Sequence, residues 1–133
     1  SWVANMRRVK PAVSYYRCVS KFGGIDKTMP MFILHAKDRP DALELRLEHY
    51  AAHRAFLEEQ DEIGKVSVIM SGPLQTDDGE QMIGSLLLLE AENREAIDKF
   101  VQDDPFTREN VWGEVSVTRF YRRRSPGRDL PMP

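Results

Sequence analysis

Two residues able to move protons stand in restricted settings: His53 inside an apolar helical run, and Asp104 within Gln102-Asp103-Asp104-Pro105-Phe106. Proline disfavours the helical region for the residue before it, so Asp104 is held extended at the exit from the helical pattern 93–102. There its carboxylate can point into a cleft rather than along a helix. His53 projects on a helix beside Tyr50, Phe56 and Leu57, with Arg46 and Gln60 two turns away on the same stripe. An imidazole titrates near neutrality, and a carboxylate beside it can orient the ring and stabilise its cation. The pair therefore has the makings of an acid–base dyad. The plain alternatives are a core-margin histidine bonded to Asp104 for structure alone, and a cap or turn role for Asp104, which Asp-Pro favours. Asp103 reads as solvated.

Other side chains could serve the same cleft. His35 shares a strand face with Ile33 and Lys37, pointing either into the cleft or out from a strand edge. Ser71 precedes Gly72-Pro73, so its hydroxyl could reach a ligand; no nucleophile elbow surrounds it, and turn hydrogen bonding is the competing role. Gly72 would let the backbone approach a ligand or a neighbouring chain closely. His49 and His53 stand four apart, a spacing that can chelate a metal from one helix face. Tyr50 stands where a zincin motif needs glutamate, and the chain has three histidines and one cysteine, so no metal is expected. No cofactor is expected either.

The elements that must position these residues follow from period and punctuation. Met31 to Ala36 is an apolar run that reads as a strand, ending at Lys37-Asp38-Arg39-Pro40, where Pro40 suits the first turn of a helix. Residues 41–62 give a long helix, with Leu43, Leu47, Tyr50 and Leu57 on one stripe and Leu45, Ala52 and Phe56 on the next. Gly64 stops it. Val66 to Met70 is a second strand, closed by Ser71-Gly72-Pro73, and Thr76-Asp77-Asp78-Gly79 leads into a third, Met82 to Leu89. Asn93 caps a second helix carrying Ala96, Ile97, Phe100 and Val101 at helical spacing. Glu114 to Tyr121 alternates as a fourth strand. The order is β-α-β-β-α-β, the ferredoxin-like split motif: an α+β fold with an antiparallel four-stranded sheet. Helices cover one face of such a sheet, so a second subunit is expected on the other, and the expected state is a homodimer or higher homo-oligomer.

At 133 residues, 41% hydrophobic and 30% charged, the chain has the composition of one ordinary globular domain. A single cysteine, Cys18, excludes an internal disulfide framework and fits a reducing, cytoplasmic setting. No apolar run approaches the ~20 residues of a membrane span. The net charge of −2 hides a division: residues 1–30 carry +5 and the remainder −7. The first 30 residues read as a basic extension that lies on the acidic body or on a partner subunit, with an organelle transit peptide as the alternative. Within it, Ala12 to Val19 suits a short strand and Gly23-Gly24 a break, and the leading Ser-Trp reads as a processed terminus. Nucleic acid is not an expected partner, because the acidic body repels phosphate and no aromatic-basic motif appears. The tail, 122–133, is basic and proline-bearing, with little regular structure expected.

Taken in order, the first strand, helix-borne His53, Gly72-Pro73 after the second strand, Gly84-Ser85 opening the third and Asp103-Asp104-Pro105-Phe106 after the second helix resemble the YciI-like (YCII-related) family. The resemblance runs from about Met31 to Tyr121 and does not extend to residues 1–30. It implies a small dimeric α+β barrel of ferredoxin-like topology, with a His–Asp pair at His53 and Asp104 as candidate active site. Arg46 matches a frequent family position, whereas Tyr50 replaces a residue that is often arginine in relatives. Some relatives eliminate chloride from chlorinated hydroxyhydroquinones. The expectation is a cofactor-independent lyase or isomerase acting on a small aromatic or enolisable substrate. His53 would be the base, Asp104 its orienter and Arg46 the group that stabilises developing negative charge, in a pocket walled by Phe32, Met70 and Phe106. The alternative is a non-catalytic binding or accessory module using the same pocket.

Overall fold

The computed structural model describes residues 29–133; the expected strand at 12–19 and the basic extension up to residue 28 lie outside the described residues. Strand β1 (Met31–Asp38) leads to helix α1 (Leu43–Ile63), then β2 (Val66–Gln75) and β3 (Met82–Ala91). Helix α2 (Arg94–Asp103), a single turn α3 (Pro105–Arg108) and β4 (Trp112–Phe120) follow, and two short strands, β5 (Arg124–Ser125) and β6 (Arg128–Asp129), end the chain. The main sheet has the order β2-β3-β1-β4 with every neighbouring pair antiparallel. The fold is α+β with ferredoxin-like topology.

Strand alternation decides which side chains meet the helices. Phe32, Leu34 and Ala36 of β1 and Leu87, Leu89 and Ala91 of β3 form the core with Val66, Ile97, Phe100 and Phe106. Phe56 of α1 meets Phe100 of α2 at 5.1 Å between ring centroids, joining the two helices over the sheet. Helix α2 starts as its sequence dictates, Asn93 Oδ1 accepting from the Ala96 N–H at 2.9 Å.

Several boundaries differ from the expectations, each for a physical reason. Helix α1 begins at Leu43 rather than in the Pro40 turn, because Asp41 is in the left-handed region (φ 58°) and interrupts the run. At its other end Gly64 takes φ 86° and donates to the Gln60 carbonyl, the expected stop. The apolar stripes expected of α1 set its inward face only in part: Leu45, Phe56 and Leu57 pack against the core. Its buried residues are Arg46 and His53, while Leu47 and Tyr50 are exposed.

Strand β2 does not close at Ser71-Gly72-Pro73 but continues through it to Gln75, with Pro73 opposite Ser85. It lies at the sheet edge, where a proline without an N–H leaves no ladder bond unmade. The register shifts between Val68 and Met70, leaving Ile69 as an extra residue. Before this bulge the even-numbered Val66 and Val68 pack on the helix-side core; after it the odd-numbered Ser71 and Pro73 do the facing. The tail is also more ordered than expected: β5 and β6 pair as a small hairpin, and the Tyr121 hydroxyl donates to the Pro131 carbonyl at 3.1 Å.

Gly84 marks the closest approach in the sheet. A Cβ there would collide with the Ala36 carbonyl of β1 and press on Leu74. Backbone cannot yield as a flexible side chain does, so Gly84→Ala is expected to destabilise by about 1–3 kcal/mol. A thermal melt checks this: a Tm equal to that of the unsubstituted protein would show that β1 and β3 can separate at no penalty.

Candidate functional site

Helix α1 faces the last turns of the sheet with Arg46 and His53, seven residues apart and therefore two turns apart on one face. Opposite them the junction of α2 and α3 supplies Asp104. Its backbone is extended (φ −64°, ψ 131°), as the following proline requires, and it serves both as the end of α2 and as the N-cap of α3, with Pro105 in that helix's first turn. Its Oδ1 accepts from the Phe106 N–H at 2.9 Å and lies 2.8 Å from His53 Nδ1. The cap and the dyad contact are one arrangement, since a single oxygen makes both bonds. Asp104 is fully buried and His53 only 6% exposed.

The ring of His53 is fixed by more than this bond. It stacks on Phe106 at 4.0 Å and 10°, and meets Trp112 edge-on at 5.9 Å. With Nδ1 facing a carboxylate, Nδ1 carries the hydrogen and Nε2 is the nitrogen left to accept one. His53 lines an open cavity of about 260 Å³, bounded by Arg46, Tyr50, Arg54, Leu57 and Glu58 from α1 and by Ser71, Gly72, Pro73, Ser85 and Leu87 from β2 and β3.

Arg46, 1% exposed, is held at four points. Nε donates to Asp38 Oδ2 at 2.7 Å, and Nη2 reaches Asp38 Oδ1 at 3.0 Å, the Gly84 carbonyl at 2.7 Å and Ser85 Oγ at 2.6 Å. Its guanidinium also lies over Phe106, 4.7 Å from the centroid. Ser85 Oγ accepts a second hydrogen bond from Trp112 Nε1 at 3.1 Å. Both of its lone pairs are then engaged, one by a cation, so the hydroxyl hydrogen is polarised and available to a guest in the cavity.

The structure thus brings His53, Asp104, Arg46, Ser71 and Gly72 to one place. It does not bring His35 there. His35 sits between Leu34 and Ala36, both in the helix-side core, so strand alternation turns it to the opposite face of the sheet, where it pairs with Leu86 and Ser116. The expected walls also differ. Phe106 stands behind the imidazole rather than across the cavity, Phe32 is in the core, and Met70 is 58% exposed. Tyr50, Leu57, Pro73 and Leu87 take their place. Gly72 lines the cavity through its backbone, with open space where a Cβ would stand.

Two supporting residues had no candidate role in the sequence. Ser85 appeared as half of Gly84-Ser85, and Asp38 as part of a loop; only the fold joins them, 39 and 8 residues from Arg46, through its guanidinium. His49 lies by Glu48 and Glu109, at 2.9 and 3.7 Å. Among the described residues no cluster of His, Cys, Asp or Glu is placed to hold a metal ion, and no helix is long and apolar enough to cross a membrane.

The chain is 30% identical to Protein YciI of Escherichia coli O6:H1 over 95 residues, covering 68% of this chain and 95% of that protein, and equally so to Protein YciI of Shigella flexneri. Among solved structures, it is similar to 5-chloro-2-hydroxyhydroquinone dehydrochlorinase from Burkholderia phenoliruptrix AC1100 in complex with 2,5-dihydroxybenzoquinone. The TM-score is 0.60 at 33% identity, over 74% of this chain and 99% of that one. Residues 30–121, the whole ferredoxin-like unit with every residue of the cavity, match the family described as the YCII-related domain, and the chain belongs to that family.

Proposed function

We propose that the protein is a cofactor-independent lyase of the dehydrochlorinase type, acting on a small hydroxylated ring that bears a leaving anion. The observation that carries this reading is an imidazole tied by Nδ1 to a buried carboxylate and lining a cavity that also holds Arg46 and Ser85. A general base needs hydrogen-bond reach to the proton it takes, and Nε2 is the accepting nitrogen. Asp104 holds the ring and balances the charge formed on it. Negative charge developing on the substrate, or on the departing anion, is met by the Arg46 guanidinium and the Ser85 hydroxyl.

The net reaction is loss of HX from the ring. One ring hydroxyl ketonises as its proton is transferred to the halogen-bearing carbon. His53 takes the proton of the hydroxyl across the ring, and the carbon–halogen bond breaks with its electron pair leaving on the halide. The ring is left as a hydroxyquinone without any external oxidant. A volume of about 260 Å³ suits a single substituted ring. The likeness to the dehydrochlorinase supports the same class of substrate. The face of the sheet turned away from the helices, where Met70 and Phe120 are exposed, is the surface on which a second copy would sit.

The test is halide release from 5-chloro-2-hydroxyhydroquinone, followed together with quinone absorbance. The protein is expected to release halide and His53→Gln to lose 10²–10⁴-fold of that rate, on the order of the contribution of a general base. Binding without halide release, at a rate no greater than in buffer, would instead favour a non-catalytic binding module.

A further inference from the structure

The dyad leaves one buried atom unexplained. Asp104 Oδ1 carries two donors, from His53 and the Phe106 N–H, while Oδ2 is buried with no partner. Three residues on, Thr107 Oγ1 is likewise buried with no partner. The Thr107 N–H bonds the Asp104 carbonyl at 2.9 Å, so the two residues span one turn of α3 and share a face. Buried polar groups in folded proteins are nearly always satisfied, and where two orphaned ones adjoin, an internal water is the usual bridge.

We infer that Thr107 is a positioning residue for the dyad: its hydroxyl and one bound water supply the donor to Asp104 Oδ2. This inference rests on the His53–Asp104 reading above and goes beyond it by assigning what divides the carboxylate's charge between its two oxygens. A donor at Oδ2 draws electron density away from Oδ1. It thereby limits how strongly the carboxylate favours the protonated imidazole. Thr107 would then set how readily His53 gives its proton up again, without touching substrate.

The charged groups around His53 are Asp104 in contact, and Arg46, Arg54 and Glu58 of α1, which share its cavity. Asp38 stands behind Arg46, and His49 with Glu48 and Glu109 lies a turn away. The strand residues of the cavity carry no charge. None of these groups changes when Thr107 is replaced, so a change in the histidine's titration reports the Oδ2 donor.

The experiment is an NMR titration of the His53 ring in the full chain, in Thr107→Val, which removes the hydroxyl at constant shape, and Thr107→Ser, which keeps it. The midpoint is expected to move to higher pH in Thr107→Val and to return to the starting value in Thr107→Ser. In the unsubstituted protein, the amides of Phe106 and Thr107 are expected to show cross-relaxation to a long-lived water. An unchanged midpoint in Thr107→Val would overturn the inference. So would a Thr107→Ser protein that shifts as the valine variant does, or the absence of a bound-water signal. No substrate enters these measurements, so a protein that turns over nothing still answers them.

Discussion

Asp104→Asn is expected to lower kcat/KM by on the order of 10²–10⁴-fold on any substrate of the site while leaving the fold in place. Asparagine has nearly the same shape, and its carbonyl can still cap α3 through the Phe106 N–H. If the carbonyl stays there, His53 keeps its tautomer, but the imidazolium formed on proton transfer loses the buried counter-charge beside its Nδ1. If the amide turns instead, its N–H₂ faces Nδ1 and forces the hydrogen onto Nε2, so that this nitrogen can no longer accept a proton. Both outcomes lower the rate through different steps. A pH–rate profile beside kcat/KM separates them: the first shifts the limb that reports the histidine, and the second lowers the plateau. Full activity in Asp104→Asn would remove the carboxylate from the mechanism.

The largest effect on stability is expected at Arg46. Arg46→Met removes a cation that satisfies Asp38 through two nitrogens and also reaches the Gly84 carbonyl and Ser85. The Asp38 side chain is 6% exposed, so its carboxylate would remain buried without a partner. Losing one member of a buried ion pair costs about 3–5 kcal/mol. For a chain of this size that corresponds to a fall in Tm of roughly 10 °C or more. The double variant Arg46→Met/Asp38→Asn is expected to recover part of the loss, because the orphaned charge is gone. Arg46→Lys retains the charge but not the planar fork that spans both carboxylate oxygens, and is expected to fall between. Thermal melts of these three proteins and of Asp38→Asn alone check this, and additive effects of Arg46 and Asp38 would show that the pair is not coupled.

The parts of this architecture written in local chemistry were legible before the fold was known. Asn93 caps a helix, Gly64 ends one, and Asp104-Pro105 holds a carboxylate extended, all through interactions within a few residues. The order of strands and helices followed from period alone. The inward face of α1 was legible only in part: Leu45, Phe56 and Leu57 pack on the core as patterning assigns them, but the most deeply buried positions are Arg46 and His53. Their burial becomes affordable only through Asp38, Gly84, Ser85 and Asp104, partners from three other segments that no periodicity connects. His35 failed for the complementary reason: its type suggested chemistry, but the alternation of β1 turns it away from the site. Pro73 looked like the end of a strand because its missing N–H matters only in a sheet interior, and an edge position is not visible in a single strand's sequence.

The extra residue at Ile69 divides β2 into two lengths that read the same sheet out of phase. The first length speaks to the core through Val66 and Val68, and the second to the cavity through Ser71 and Pro73. Drawing Ile69 into the ladder would not erode the cavity wall by degrees; it would exchange it, turning Gly72 and Leu74 inward and sending Ser71 and Pro73 to the opposite side, whereas deleting Ile69 would leave Ser71 and Pro73 facing the cavity. Substitutions along β2 can therefore vary the guest-facing wall and the packing independently. Whether Ile69 stands outside or inside the ladder sets the identity of the wall in a single step.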